Sequence, residues 1–207
     1  MLILEDRDII DFKIDMLTDL NKKIKMGYKS QFRNIIIRII SKPMRYKRIK
    51  APINIVEDVN KMNAMSSNIY NYLINMFDVF GDSAILNAKR IFEDNGVKWG
   101  KKFNKSFAVQ YNSNDIKKLI KELYISIKDL DYLTLSNRQL NWIFKKPEDE
   151  SAQYQNADRY FNSLYEIKSL WLQSFIKALK PDYTIVFETI DEQEEQITTN
   201  IIIKEGA

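Results

Sequence analysis

The 207-residue chain contains no cysteine and no histidine. Without thiols there is no disulfide framework, and without thiols or imidazoles nearly every ordinary zinc site is excluded. Ser-His-Asp and Cys-His catalysis and c-type haem attachment go with them, because each needs a side chain that is missing. No metal site is expected, and an enzyme built here has to use Asp, Glu, Lys, Tyr or a bound cofactor. No apolar run approaches the roughly 20 residues of a membrane-spanning helix. The opening MLILEDRDIIDFKID has acids where a secretory signal has a basic start and an apolar core. These absences lead us to expect a cytoplasmic protein.

What is present is enough to fold. Apolar residues make up 45% of the chain and aromatic residues 12%, too rich for disorder, and the length suits one domain with an extension. The formal net charge of +4 is unevenly spread. Between Asn21 and Val56 there are eleven Lys and Arg and no Asp or Glu, so the remainder of the chain is acidic.

Residues 4 to 26 carry Ile9, Ile10, Ile14, Leu17, Leu20 and Ile24 three and four apart, which predicts an amphipathic helix ending near Gly27. The β-branched stretch that follows contains Pro43 and Pro52 and reads as short extended segments. Helical spacing returns from Glu57 to Phe80, and Gly81 ends that run. Asp82 is a candidate cap for a helix from Ser83 to about Phe107, and Asn114 or Asp115 for the next, as far as about 129. Two strands are expected over 132–136 and 138–146, a long helix over 157–180, and a closing hairpin of YTIVFETI and QITTNIIIK around the acidic turn DEQEE. Helices, a strand pair, a long helix and a hairpin give an α+β fold: amphipathic helices packed on a small antiparallel sheet, with a helical and basic N-terminal extension. The expected division is an extension over 1–56 and an α+β domain over 57–207.

Only five glycines occur, and two of them, Gly96 and Gly100, stand four apart inside the helix of 83 to 107. Each costs a helix about 1 kcal/mol relative to alanine, so each needs a packing reason. With Ala84, Ala88 and Phe92 they form one i, i+4 row, a shallow trough flanked by Trp99 and Phe103. Such a trough admits either a second backbone or the hydrocarbon part of a ligand. Tyr154, Tyr160, Phe161, Tyr165 and Trp171 form an aromatic-rich stretch that serves either the core or a pocket wall, where a tyrosine supplies a polar tip to orient an apolar guest.

The segment GDSAILNAKRIFEDNGVKWGKKF resembles the small-residue-rich helix of the 4-vinyl reductase domain family, with Gly96, Trp99 and Gly100 at the matching positions. The order of elements agrees over roughly 57–204. The resemblance implies a compact α+β fold, frequent dimerisation, and binding of small, largely hydrophobic molecules in sensor or accessory proteins. The fold is also related to vesicle-tethering subunits that hold an acyl chain in an internal channel. Many members carry cysteine, sometimes with histidine, near the closing hairpin, where a metal binds. This chain has neither. Nor does GVKWG have the glycine spacing of a nucleotide-binding turn, so no cofactor is expected. The reading that follows is non-catalytic binding or sensing of a small apolar molecule by a homodimer. Phe92, Gly96, Trp99, Gly100, Phe103, Tyr160, Phe161 and Tyr165 would form the site.

Two alternatives stand beside it. Arg45, Tyr46, Lys47, Arg48 and Lys50 interleave an aromatic ring with cations, a pattern that neutralises phosphates and stacks on a base, so a nucleic-acid-associated regulatory protein is one. The other is a carboxylate-based hydrolase, similar to thiazoline-ring hydrolases that share features with the family, which needs paired carboxylates inside a pocket. The acids Glu188, Asp191, Glu192, Glu194 and Glu195 read as a solvated hairpin turn, since a hard-cation site needs oxygens converging from a shaped loop.

Overall fold

Apolar residues three and four apart give α1 (Asp6–Gln31) one buried face, formed by Phe12, Met16, Leu17, Leu20, Ile24 and Tyr28. The computed structural model describes residues 6–31, 55–106, 112–124, 126, 131–145, 158–193 and 196–205. The basic segment with Arg45, Tyr46, Lys47, Arg48 and Lys50 lies outside them, as do Tyr154, Glu194 and Glu195. α1 does not stop near Gly27 but runs through it, and the small residue faces α3 instead. A β-carbon there would lie 2.8 Å from Ile91 Cδ1.

α2 (Ile55–Phe80) and α3 (Asp82–Ser106) are separated by Gly81 alone, whose φ of +57° turns the chain and whose carbonyl accepts from the amide of Ala84 at 3.0 Å. Asp82 is thus the first residue of α3. α4 (Ser113–Leu123) is capped by Asn112, whose side chain accepts from the amides of Asn114 and Asp115. Asp115 completes a reciprocal box by accepting from the Asn112 amide, so neither expected residue is itself the cap.

Then come β1 (Asp131–Ser136), β2 (Gln139–Lys145), a 3-10 turn (Asp158–Tyr160), α5 (Phe161–Leu179), β3 (Tyr183–Gln193) and β4 (Gln196–Glu205). The strands form one antiparallel sheet in the order β1-β2-β4-β3. β3 extends through Asp191 and Glu192, with a register irregularity between Thr189 and Asp191. The architecture is α+β, as composition and element order led us to expect.

Strand alternation puts Leu140, Trp142 and Phe144 of β2 and Ile197, Thr199, Ile201 and Ile203 of β4 on the face that meets the helices. α5 lies on that face. Tyr165 stacks on Trp142 with ring centroids 4.6 Å apart, and Phe161 meets Phe144 at 5.0 Å. On its other side α5 packs against α3, the most extensive helix contact among the described residues, with α1 and α2 against α3 beyond it. The same buried cluster takes in residues of α1, α2, α3, α4, α5 and the sheet.

Candidate functional site

The row of small residues on α3 meets a backbone. A β-carbon on Gly96 would lie 2.6 Å from the carbonyl oxygen of Trp171, and one on Gly100 2.3 Å from that of Phe175. One turn along α3 corresponds to one turn along α5, so the two helices run in the same direction. The trough is occupied by α5 rather than by open space. Trp99 and Phe103 flank it as core residues: both meet the ring of Phe12 edge-on, at 5.1 and 5.2 Å.

A cavity of about 30 Å³ does lie close by, one turn towards the start of α3. Its apolar wall comes from Met16, Leu17 and Leu20 of α1, Tyr70 of α2 and Phe92 of α3. Trp171 and Tyr124 complete it, and the polar side chains are Asn95 and Lys168. A single water needs a space of about 10–15 Å³, so this one takes two or so water-sized groups. Of the residues expected to hold a ligand, only Phe92 lines it. Tyr160 donates to Asp78 at 2.9 Å, Tyr165 shares a 2.8 Å hydrogen bond with Thr199, and Phe161 packs on the sheet.

The polar end of the cavity is a buried ion pair. Lys168 lies on α5 among Leu164, Ile167, Trp171 and Leu172 and is 4% exposed. Asp131, the first residue of β1, is 3% exposed because it alternates with Leu133 and Leu135 towards the helices. Asp131 Oδ2 accepts from Lys168 Nζ, from the Tyr124 hydroxyl, and from Trp142 Nε1 at 3.2 Å. The Lys168 ammonium also stands over two rings, Tyr124 at 4.3 Å and Tyr70 at 5.4 Å.

A charge removed from water this far loses hydration that one partner only partly replaces. Burial pushes the Lys168 amine down to about 8 from 10.5, although Asp131 pulls the other way. Burial, then the negative charge of Asp131, pushes the Tyr70 and Tyr124 hydroxyls well above their ordinary range. Neither phenol is ionised at neutral pH, so Tyr124 acts as a donor to the carboxylate.

The second polar residue of the wall is held separately. Asn95, fully buried, accepts from Trp171 Nε1 at 2.9 Å and donates to Asp19 at 3.1 Å. Asp19 accepts also from Trp99 Nε1 at 3.1 Å and Lys98 Nζ at 2.5 Å. Burial works to raise its carboxyl, but the hydrogen bonds from Lys98 and Trp99 and the charges of Lys98 and Lys23 outweigh that and hold it below the usual range. Trp99 thus ties α3 to α1 through its ring nitrogen.

Sequence reasoning did not single out Lys168, Asp131, Asn95, Tyr70 or Tyr124. A signal existed for the first two: a lysine on the apolar row of α5, and an aspartate in phase with the inward leucines of β1. The paired carboxylates that a hydrolase needs are not found in the cavity wall. Asp131 is the only buried Asp or Glu among the described residues. Nor do three or more Asp and Glu converge among those residues as a metal site would require. No described helix is long and apolar enough to cross a membrane.

No family model matches the chain, and no curated protein sequence does. Among solved structures, the chain is similar to a variant of Tt H-NOX at 11% identity and a TM-score of 0.35, over 90% of this chain and 94% of that one. It is likewise similar, at 13% identity and a TM-score of 0.33, to a structure concerned with modulating heme redox potential through protein-induced porphyrin distortion, over 92% of this chain and 95% of that one. Likeness at these TM-scores carries no inference about function.

Proposed function

We propose that the chain is a small-molecule-binding module of the 4-vinyl reductase type, a cytoplasmic homodimer that senses or carries a small, largely apolar ligand. The observation that carries this reading is the cavity beside Phe92. Its wall is apolar apart from Asn95 and Lys168, which suits an apolar body with one polar end. The ligand sits one turn away from the glycines, between α1, α2 and α5, and the glycines act by letting α5 come close enough to form that wall. Each methylene group buried there contributes about 0.8 kcal/mol. A space of this size selects molecules of a few heavy atoms.

Native mass spectrometry of freshly purified protein tests both the retained ligand and the subunit number. Leu20→Phe is the matching variant, since it fills the cavity from α1 and leaves both glycines and both residues of the ion pair unchanged. The expected result is a retained small molecule, or added propanol binding by ligand-observed NMR, that is lost in Leu20→Phe. Equal binding in both proteins would place the ligand elsewhere and end this reading.

A further inference from the structure

We propose that Lys168 captures small aldehydes as an imine, with Asp131 moving the proton. This rests on the cavity being the binding site. Three features of the geometry and one of electrostatics meet at Lys168. Lys168 lines a cavity that is otherwise mostly apolar, so an aldehyde with a short hydrocarbon tail has its carbonyl left for the polar end, where the lysine stands. Asp131 touches the amine and is the only buried carboxylate among the described residues. Tyr124 donates to the same carboxylate oxygen and so holds it in place beside the amine. Dry surroundings favour the free amine, and about 8 in place of 10.5 leaves on the order of a hundredfold more of it at pH 7 than an exposed lysine has.

The step balances without a further reactant. The ammonium gives one proton to Asp131, and the free amine attacks the carbonyl carbon, forming a C–N bond as the C=O π bond breaks. A proton passes from nitrogen to the new alkoxide to give the carbinolamine. Asp131 then protonates the hydroxyl, the C–O bond breaks, and water leaves. The product is an iminium cation beside a restored carboxylate. Ammonium and iminium each carry one positive charge at the same nitrogen. The buried site therefore keeps its net charge, and the carboxylate and both tyrosine rings go on facing a cation. That continuity is the physical reason a buried pair suits this chemistry, where an unpaired buried lysine would have to create a charge.

The experiment uses the whole chain with propanal and cyanoborohydride at pH 7, with adducts located by peptide mapping and propanol binding followed by NMR. The expected result is a gain of one propyl group at Lys168, formed about tenfold or more faster than at exposed lysines. Leu20→Phe is expected to slow it by a similar factor. Lys168→Arg, which keeps a cation for Asp131 but has no amine to form an imine, is expected to give only the slow surface background. If Lys168→Arg does not fold, the Leu20→Phe comparison decides alone. Propanol binding with no adduct at Lys168, or adducts only at exposed lysines, would overturn the capture and leave the binding reading standing. No binding and no adduct would overturn both.

Discussion

The carbonyl oxygen of Phe175 lies where a side chain at residue 100 would begin: a β-carbon on Gly100 would stand 2.3 Å from it. At Gly96 the corresponding distance to the Trp171 oxygen is 2.6 Å. Both contacts are backbone, which cannot swing aside as a side chain can. Alanine gains about 1 kcal/mol of helix propensity at either position, but the displaced helix costs more, since overpacking a well-filled core costs about 1–3 kcal/mol or more. Gly100→Ala is expected to lose about 1–2 kcal/mol net and Gly96→Ala somewhat less, read as lowered urea midpoints. Gly27→Ala, whose obstacle is the flexible tip of Ile91, is expected to stay within about 0.5 kcal/mol of the parent. Equal effects at all three would mean that α5 is free to move away from α3.

A second prediction concerns the β1–β2 turn. Ser136 pairs with Gln139, leaving Asn137 and Arg138 at φ of 49° and 65°. Two left-handed residues between paired strands make the tight hairpin turn that favours Asn-Gly. Asparagine tolerates its place, whereas arginine carries a β-carbon strained by about 1 kcal/mol. Arg138→Gly is expected to raise stability by about 0.5–1 kcal/mol in urea denaturation. The carbonyl of residue 138, which accepts from Lys117 Nζ at 2.7 Å, survives the change. A loss of stability would show that the arginine side chain contributes more than its backbone strain costs.

Much of the fold was legible because periodicity reports burial directly. The apolar rows of α2, α3 and α5 and the alternation around Trp142 and Phe144 led to the right elements in the right order. Gly27 misled because glycine has two uses: it ends helices, and it lets helices touch, and only the position of Ile91 separates them. The same ambiguity governed Gly96 and Gly100. Their spacing announced a close approach, but whether to a ligand or to α5 depended on a partner seventy-five residues away. The polar end of the cavity was harder still. Lys168 and Asp131 each break an apolar pattern singly, and their meaning comes only from meeting each other across the helix–sheet interface.

The third prediction follows from the ionisation of that pair and has an unusual sign. Lys168 faces Asp131 from β1, Tyr124 from the end of α4 and Tyr70 from α2. Its folded value of about 8 lies below the ordinary 10.5. Between those values the unfolded chain binds a proton that the folded chain lacks, so stability rises with pH by up to about 1.4 kcal/mol per unit from this lysine. Lys13, which burial likewise pushes down to about 8 against the pull of Glu122, adds a similar slope. The opposite trend sets in near pH 10. Tyr28, Tyr70, Tyr72, Tyr124, Tyr160 and Tyr165 are all raised, chiefly by burial, so the fold holds phenol protons more tightly than the unfolded chain does. Urea denaturation from pH 7 to 11 is therefore expected to show a maximum at about pH 9.5. The double variant Lys168→Met with Asp131→Asn removes one lysine without stranding its partner, and is expected to halve the rise above pH 8. A profile that is flat or falling between pH 8 and 9 would mean that Asp131 holds the ammonium charged, and the free amine needed for imine capture would then be scarce.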